Sequence, residues 1–329
     1  MNIPYREITH GSLDEEWAPH HKANDWWYLT GYLRSVTRPD CLYSYQFTII
    51  NPRHFGKAFY VLHLAFTDMQ TGQHFLERRK RITGKKTGIT GENVAFLPYG
   101  LLERNRNGMM LNARVKEVEL TLNLKPGKDA VWHGNNGVMV MGTPEDPQQR
   151  TVYYSFTNMP TSGSVKLTDG SGQRQEFEVT GKSWFDRQWG PFRLLSVVSF
   201  WEWFSIRFFD DEEVMLFAFP QHSYYEGTFI DKTGKSRRIT DYKYDYHKLN
   251  NRCKLLFSYG WDVTLPGIKD ERYRIVPMNE RQFNGRYYEM MASVSGMDGT
   301  EVGYCFVELL PGVRQDARTY NLLNLILIH

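Results

Sequence analysis

The chain has 329 residues, of which 15% are aromatic, and its formal net charge is +3. This length is enough for one large or two ordinary domains, each with a substantial core. The small net charge gives no strong field that would recruit nucleic acid, and no apolar run is long enough to span a membrane. The aromatic content favours β-sheets and a cavity for a small molecule.

The cysteines and the N-terminus suggest a compartment. Cys41, Cys253 and Cys305 are odd in number and far apart, so neither a disulfide framework nor a metal site is expected from them. The N-terminus has no basic region followed by an apolar run, so no signal peptide is expected. These two features predict a cytoplasmic protein.

Residues 1–24 are polar and predict an N-terminal arm. The first regular segments after it are aromatic and β-prone, and short turn signals separate them. They are Trp26–Leu33, Leu42–Ile50 and Ala58–Asp68. The segment Ile82–Gly108 has little periodicity and is predicted to be a long excursion, partly loop. Strands resume at Met109, and the Leu-rich tail Tyr320–His329 is predicted to be a short helix.

The number and pattern of the strands predict the fold class. Almost every segment alternates apolar and polar residues, which is typical of antiparallel barrels or sandwiches. Side chains fill a barrel of about eight strands, and this chain offers about twice that number. We therefore predict an all-β protein with two tandem antiparallel β-barrel domains, residues 25–191 and 192–329.

The stretch Gly181–Gly190 is the strongest candidate for chemistry. It contains two tryptophans, a carboxylate and a guanidinium within ten residues. In an extended segment, Asp186 shares a face with Trp184. Burial of a carboxyl group beside an indole raises its pKa and suits it to proton transfer. The alternative is a structural aspartate at a strand end, paired with Arg187 in water.

His63 is a second candidate, because it lies in the middle of a predicted strand between two leucines. If Leu62 and Leu64 face a partner layer, His63 faces the barrel lumen near Tyr45 and acts as an acid, a base or a hydrogen-bond donor. The alternative is a core histidine with satisfied hydrogen bonds.

A further alternation of aromatic and acidic residues occurs at Trp201, Glu202 and Trp203. In a regular strand the two indoles face one way and Glu202 the other. We expect the tryptophans to be core residues and Glu202 to face solvent. The alternative is that one of these faces lines a cavity.

Two glutamates lie on neighbouring C-terminal strands, each flanked by apolar residues. Buried carboxylates require partners, so Glu289 and Glu308 are expected to form structural ion pairs with Arg187 or Arg207. Motifs of the standard enzyme classes are absent, including the nucleophile elbow, the phosphate loop and the zinc-binding helix. No metal or other cofactor is predicted.

Seven short motifs, taken in order, resemble a known family: the lipocalin-like proteins related to carotenoid 1,2-hydratase and the AttH group. The motifs are Trp26-Trp27-Tyr28-x-Thr30-Gly31, Tyr45-x-Phe47-Thr48, His63-x-Ala65-x-x-Asp68, Tyr153-Tyr154-Ser155, Trp184-x-Asp186-x-Gln188-Trp189-Gly190, Tyr287-x-Glu289 and Gly303-Tyr304-x-x-Val307-Glu308. The resemblance implies two lipocalin-like barrels with a ligand cavity at or near their interface. It implies several activities, from hydration of isoprenoid double bonds to Diels–Alder-type cyclisation, so it indicates fold better than reaction.

The chain departs from the family pattern in two motifs. The family often has histidine where this chain has Arg187, and its late motif commonly reads Tyr-Trp-Glu-Gly where this chain has Tyr287-Tyr288-Glu289-Met290. A permanent cation next to Asp186 would stabilise the carboxylate, which disfavours protonation of an alkene. On this argument a cyclase or isomerase is preferred to a hydratase.

The leading hypothesis is a cofactor-independent cyclase or isomerase that acts on an apolar, unsaturated polyketide or isoprenoid. Asp186 would move a proton or polarise a carbonyl together with His63 or Tyr154. Other residues are predicted to bind the substrate. They are Trp26, Trp27, Tyr45, Trp184, Trp201, Trp203 and Glu289.

Other functions remain open. A hydratase of an isoprenoid double bond and a non-catalytic carrier of a lipid or pigment are the alternatives, and a structural module without an internal cavity is a third. The expected partner is a hydrophobic small molecule, without nucleic acid or a membrane span. The expected state is a monomer or a weak homodimer.

Overall fold

The computed structural model describes residues 9–20, 23–52, 59–82, 84, 86–168, 172–192, 201–252, 255–284 and 287–310. The chain divides into two compact units. Residues 9–132 and 152–191 form the N-terminal unit, and residues 133–151 belong with those from 192 onward in the C-terminal unit. The predicted C-terminal helix, Tyr320–His329, lies outside the described residues.

Sheet 1 contains the first thirteen strands of the described chain. They are β1 (Asn24–Ser35), β2 (Leu42–Asn51), β3 (Phe59–Asp68), β4 (His74–Ile82), β5 (Thr87–Thr90), β6 (Asn93–Phe96), β7 (Gly100–Asn105), β8 (Gly108–Val115), β9 (Val118–Leu124), β10 (Val131–Trp132), β11 (Val138–Val140), β12 (Arg150–Thr168) and β13 (Arg174–Gly190). Their order is β4-β3-β2-β1-β13-β12-β9-β8-β7-β6-β5, and β10 and β11 pair with β12. Because β3 and β4 also lie against β8, sheet 1 forms a nearly closed barrel.

Sheet 2 contains the nine remaining strands of the described chain. They are β14 (Glu202–Phe208), β15 (Glu213–Phe219), β16 (Tyr224–Ile230), β17 (Ser236–Ile239), β18 (Lys243–Arg252), β19 (Leu255–Thr264), β20 (Arg272–Pro277), β21 (Tyr288–Gly296) and β22 (Glu301–Leu309). Their order is β17-β16-β15-β14-β22-β21-β20-β19-β18, which forms a half-barrel. The all-β prediction of two lipocalin-like barrel domains is confirmed.

Two details of the strands differ from the sequence prediction. The excursion predicted for Ile82–Gly108 contains three short strands, β5 to β7. They are too short to show a clear alternation of apolar and polar residues in the sequence. The sequence pattern also predicts a hairpin of two short strands, Gly163–Leu167 and Gln175–Thr180. These segments do pair, but each is the end of a longer strand. The stretch Gly181–Gly190 is therefore the second half of β13.

A short helix, α1 (Leu13–Trp17), precedes β1. Its first turn is stabilised by a capping box, in which Ser12 and Glu15 each bond the other's backbone N–H. Leu13 and Trp17 pack against the core of sheet 1, and the Trp27 indole Nε1 donates to the Trp17 carbonyl at 3.2 Å. The helix is thereby held against the end of the barrel where β1 begins.

Arg187 on β13 fixes this end of the barrel. Its guanidinium is fully buried, pairs with the equally buried Asp25 and donates to the Ala18 carbonyl at 2.7 Å. It also lies 4.0 Å from the centre of the Trp27 ring. Burial raises the pKa of Asp25, and the Arg187 cation opposes that shift. One side chain thus joins β13, β1 and the segment after α1.

Replacing Asp25 by alanine should destabilise the protein by about 3–5 kcal/mol, because it leaves the Arg187 cation buried without its carboxylate. Urea unfolding measures this loss. The control is Glu176→Ala, which removes the partner of Lys166 from a far more exposed pair at 3.4 Å and should cost less than about 1 kcal/mol. Equal losses in both variants would contradict the assigned role of the Arg187–Asp25 pair.

The C-terminal unit contains a buried histidine whose titration links stability to pH. Burial lowers the pKa of His133 to about 3, and its Nδ1 lies 2.9 Å from the Thr228 hydroxyl. The unfolded chain takes up a proton at this residue as the pH falls through about 6.5, whereas the folded protein does not until about pH 3. Acid therefore favours the unfolded state in this window.

His133→Gln should remove this part of the acid sensitivity. Between about pH 8 and pH 5 the wild type should lose about 2 kcal/mol more unfolding free energy than the variant, since each pH unit below 6.5 is worth about 1.4 kcal/mol. Urea unfolding at both pH values measures the difference. Parallel losses in the two proteins would contradict the assignment.

Candidate active site

The two faces of sheet 1 differ in chemistry because side chains alternate along each strand. One row of paired residues, Phe185, Leu29, Phe47 and Leu64, belongs to the hydrophobic core. The next row lies on the opposite face and is polar and buried. It consists of Asp186, Tyr28, Thr48 and His63 on four consecutive strands. We call the side that carries the Asp186 row the polar face, and the opposite side the core face.

The carboxyl group of Asp186 accepts several hydrogen bonds on the polar face. Its Oδ1 accepts hydrogen bonds from the Tyr153 hydroxyl at 2.9 Å, from the Trp184 indole N–H at 2.6 Å and from the Ser155 hydroxyl. Ser155 is the cross-strand partner of Asp186 on β12. Three donors occupy the acceptor capacity of this oxygen, so any proton that Asp186 carries is on Oδ2.

The expected common face of Asp186 and Trp184 is therefore observed, with a direct hydrogen bond between them. The expected pairing of Asp186 with Arg187 in water is wrong, because Arg187 lies on the core face and binds Asp25. The hydrogen-bond donors Tyr153 and Ser155 were not singled out from the sequence. Their spacing of two within the Tyr153-Tyr154-Ser155 motif was the signal that both face the same way.

His63 lies on the polar face rather than in the barrel interior. Leu62 and Leu64, its neighbours on β3, are core residues, so the expectation that His63 faces the lumen is wrong. His63 is three strands from Asp186 along the row, about 14 Å at a spacing of about 4.8 Å per strand. The two side chains are too far apart to exchange a proton directly.

Tyr154, the third predicted catalytic residue, is on the core face and does not meet Asp186. It belongs to the hydrophobic core together with Trp27 and Tyr45, two of the predicted substrate-binding residues. The Tyr45 hydroxyl lies 2.5 Å from the Ser183 hydroxyl. Of the six aromatic residues predicted to bind the substrate, Trp26 and Trp184 share the polar face with Asp186.

The predicted residues of the C-terminal unit form a separate group on sheet 2. Trp203, Glu308 and Glu289 are cross-strand neighbours in one row. The Trp201 indole N–H donates to Glu308 at 2.6 Å, and the Asn284 amide donates to Glu289 at 2.6 Å. An ion pair of either glutamate with Arg187 is wrong, since Arg187 is occupied by Asp25.

Glu202 departs from its expected position. It is buried on the core side of sheet 2, where its Oε1 accepts a hydrogen bond from the Ser258 hydroxyl at 2.7 Å. The expectation that it faces solvent is wrong, because both faces of β14 are buried, including the opposite face that carries Trp203. A strand buried on both faces does not follow the simple pattern of polar residues outside.

No helix within the described ranges is long and apolar enough to cross a membrane. In the same part of the chain, no cluster of three or more histidine, cysteine or acidic side chains is arranged to hold a metal ion.

The two sheets, with short hairpins and a helix at the entry to the first barrel, define a lipocalin-like protein. The AttH-like family model matches residues 7–312, and the chain belongs to this family. No relative was found among curated proteins.

Solved structures show the same fold. A crystal structure of a protein described as AttH, from Nitrosomonas europaea, is similar with a TM-score of 0.77 at 20% identity, covering 94% of this chain and 99% of the other. Kievitone hydratase from Nectria haematococca is similar with a TM-score of 0.70 at 15% identity, covering 94% of each chain. At these sequence identities the likeness shows a shared fold and nothing further.

Two substitutions of Asp186 should differ in stability. Asp186→Ala removes the acceptor of three buried donors and should cost about 3 kcal/mol or more, whereas Asp186→Asn keeps an oxygen at Oδ1 and should cost about 1 kcal/mol. Thermal and urea unfolding measure both. Equal costs would show that the three donors do not depend on this oxygen.

Proposed function

We propose that the protein is an acid–base enzyme that adds water across a carbon–carbon double bond, with Asp186 as the proton-transfer group. The observation that carries the proposal is the arrangement at Asp186. One carboxyl oxygen is fixed by three buried donors, so that Oδ2 is the atom that exchanges a proton. Rigid placement of one proton-transferring oxygen is what general acid–base catalysis requires.

The chemistry at this oxygen proceeds in two steps. Protonated Asp186 gives its Oδ2 proton to one carbon of the double bond, which leaves a carbocation at the other carbon and a carboxylate on the enzyme. Water adds to the carbocation and its proton returns to Asp186. The hydrogen bonds to Oδ1 from Tyr153, Ser155 and Trp184 stabilise the carboxylate that forms between the two steps.

The position of Arg187 favours hydration over the cyclase hypothesis. Cyclisation is preferred from the sequence because a cation next to Asp186 would oppose protonation of an alkene. Arg187 instead projects to the other face of β13 and is neutralised by Asp25. The structural likeness to kievitone hydratase is consistent with this choice. Cyclisation or isomerisation remains the second candidate, since the same carboxyl group can polarise a substrate.

The polar face also suggests the kind of substrate. Tyr28 and Thr48 of the Asp186 row, together with Gln46 on the same face, bring a phenol, a hydroxyl and an amide to this surface. A purely hydrocarbon substrate would leave such groups in contact with apolar surface, which is unfavourable. We therefore propose an unsaturated substrate that carries hydroxyl or carbonyl groups near its double bond.

The test uses kievitone and a panel of prenylated phenols as substrates in isotopically labelled water. Hydration adds the mass of one water molecule and incorporates the labelled oxygen, whereas cyclisation or isomerisation leaves the mass unchanged. Asp186→Asn should lower the turnover by about 10²–10⁴-fold while the substrate still binds. The matched control is Glu202→Gln, the same isosteric change at a buried carboxylate of the C-terminal unit, which should retain turnover.

Three results would contradict the proposal. Turnover by Asp186→Asn at the wild-type rate would remove Asp186 as the proton-transfer group. An unlabelled isomeric product would establish the cyclase or isomerase alternative. Binding of panel compounds without conversion by the wild type would support the carrier alternative.

A further inference from the structure

The N-terminal unit has a patch of exposed apolar and cationic residues where β4 ends. β4 is the last strand at one end of the order of sheet 1. Its final residue, Ile82, is 63% exposed, and Leu97 in the turn between β6 and β7 is 38% exposed. Single exposed apolar residues are common on protein surfaces, so the surroundings of these two decide whether they form a site.

Hydrogen bonds bring the exposed apolar residues together with several cations. The Arg81 guanidinium donates to the Leu97 carbonyl at 2.5 Å, and the Leu97 N–H donates to the Lys86 carbonyl at 2.7 Å. The Arg79 Nε donates to the Tyr99 hydroxyl at 3.0 Å. The end of β4, the residue before β5 and the turn after β6 are therefore joined at one place on the surface.

We call this place the basic patch. It consists of Ile82, Leu97 and four cations, Arg79, Lys80, Arg81 and Lys86.

The charge of the basic patch is strongly positive. The only carboxylate of β4, Glu77, pairs with Arg79 at 2.8 Å, and its side chain is 12% exposed. Partial burial and the nearby Arg78 cation lower the pKa of Lys80. Positive charges therefore exceed negative ones along this strand, and an anionic surface would relieve the repulsion between them.

The combination of cations with exposed apolar groups selects among anionic partners. Nucleic-acid phosphates attract the cations but give no favourable contact to an isoleucine and a leucine. The surface of an anionic membrane suits both, because cations contact the headgroups while apolar side chains enter the boundary of the acyl chains. The basic patch therefore fits a lipid surface better than it fits a nucleic acid.

We propose that the basic patch binds the N-terminal unit to the surface of membranes that contain anionic lipids. Ile82 and Leu97 enter the headgroup region, and the four cations contact the headgroups. The binding is peripheral and reversible, since a few charges and two apolar side chains act together without spanning the bilayer. This contact uses no residue of the Asp186 row and does not depend on the proposed hydration.

The test is sedimentation of the full-length protein with phosphatidylcholine vesicles, prepared with and without about 30% phosphatidylserine. Binding should require phosphatidylserine and should weaken as the salt concentration rises, because salt screens the charges. The double variant Lys80→Gln/Lys86→Gln should bind about 25-fold more weakly, since each cation near an anionic surface contributes about fivefold. The matched control, Lys235→Gln/Lys243→Gln, removes two exposed lysines of the C-terminal unit and should bind like the wild type.

The apolar contribution is tested separately with Ile82→Ser. This variant should bind the phosphatidylserine vesicles about tenfold more weakly, because it removes the apolar group that leaves water. Met297→Ser changes a 43% exposed apolar residue of the C-terminal unit and should bind like the wild type. Thermal unfolding of each variant shows that the fold is retained.

Several outcomes would overturn the proposal. One is the absence of binding to either kind of vesicle, and another is equal binding to both. A third is binding at the wild-type level by the double lysine variant or by Ile82→Ser. A duplex oligonucleotide that binds the wild type when the phosphatidylserine vesicles do not would assign the basic patch to nucleic acid instead. Failure of the hydration assay would leave the expected vesicle results unchanged, so the two proposals fail separately.

Discussion

The second half of strand β13 is buried on both faces from Ser183 to Gln188, and its alternation of side chains separates two kinds of chemistry within three residues. Phe185 and Arg187 face the core, where Arg187 holds Asp25 and the segment after α1. Asp186 between them faces the other way and accepts three hydrogen bonds from the polar face. A shift of register by one residue would exchange these environments and bury each charge without its partners, which is why the pairing of β13 must be fixed strongly.

The resemblance to carotenoid 1,2-hydratase and AttH proteins indicates a fold, and the geometry at Asp186 gives that fold a chemical interpretation. The hydrogen-bond donors of Asp186 come from β12 and from β13 itself, so they are held by sheet pairing rather than by loops. Donors held by strand pairing keep the carboxyl group in one position, which suits proton transfer at a fixed oxygen. The core face of the same sheet has a different character, because the row of Trp132, Tyr154, Arg187 and Trp27 contains three aromatic rings and one guanidinium and no carboxylate.

Much of the fold could be predicted from the sequence, because strands such as β1 and β2 carry dense aromatic and β-branched residues between clear turns. The common face of Asp186 and Trp184 followed from their spacing alone. The pairing of Arg187 with Asp25 could not be predicted, because the two residues are 162 positions apart in the chain and only the register of β1 against β13 brings them together. His63 and Glu202 were assigned to the wrong faces because both lie on strands buried on both sides, where alternation shows two faces but not which one is the core.

The central claim is that the side chains of Asp186 and Arg187 do not interact. It is tested most directly by double-mutant cycles of unfolding free energy, with Asp186→Asn, Asp25→Asn and Arg187→Met made singly and in pairs. Residues that share an interaction are coupled, whereas those without a common partner contribute independently. We predict a coupling energy above about 1.5 kcal/mol for Asp25 with Arg187 and below about 0.5 kcal/mol for Asp186 with Arg187. A coupling between the adjacent residues Asp186 and Arg187 as large as that of the Asp25 pair would contradict the account.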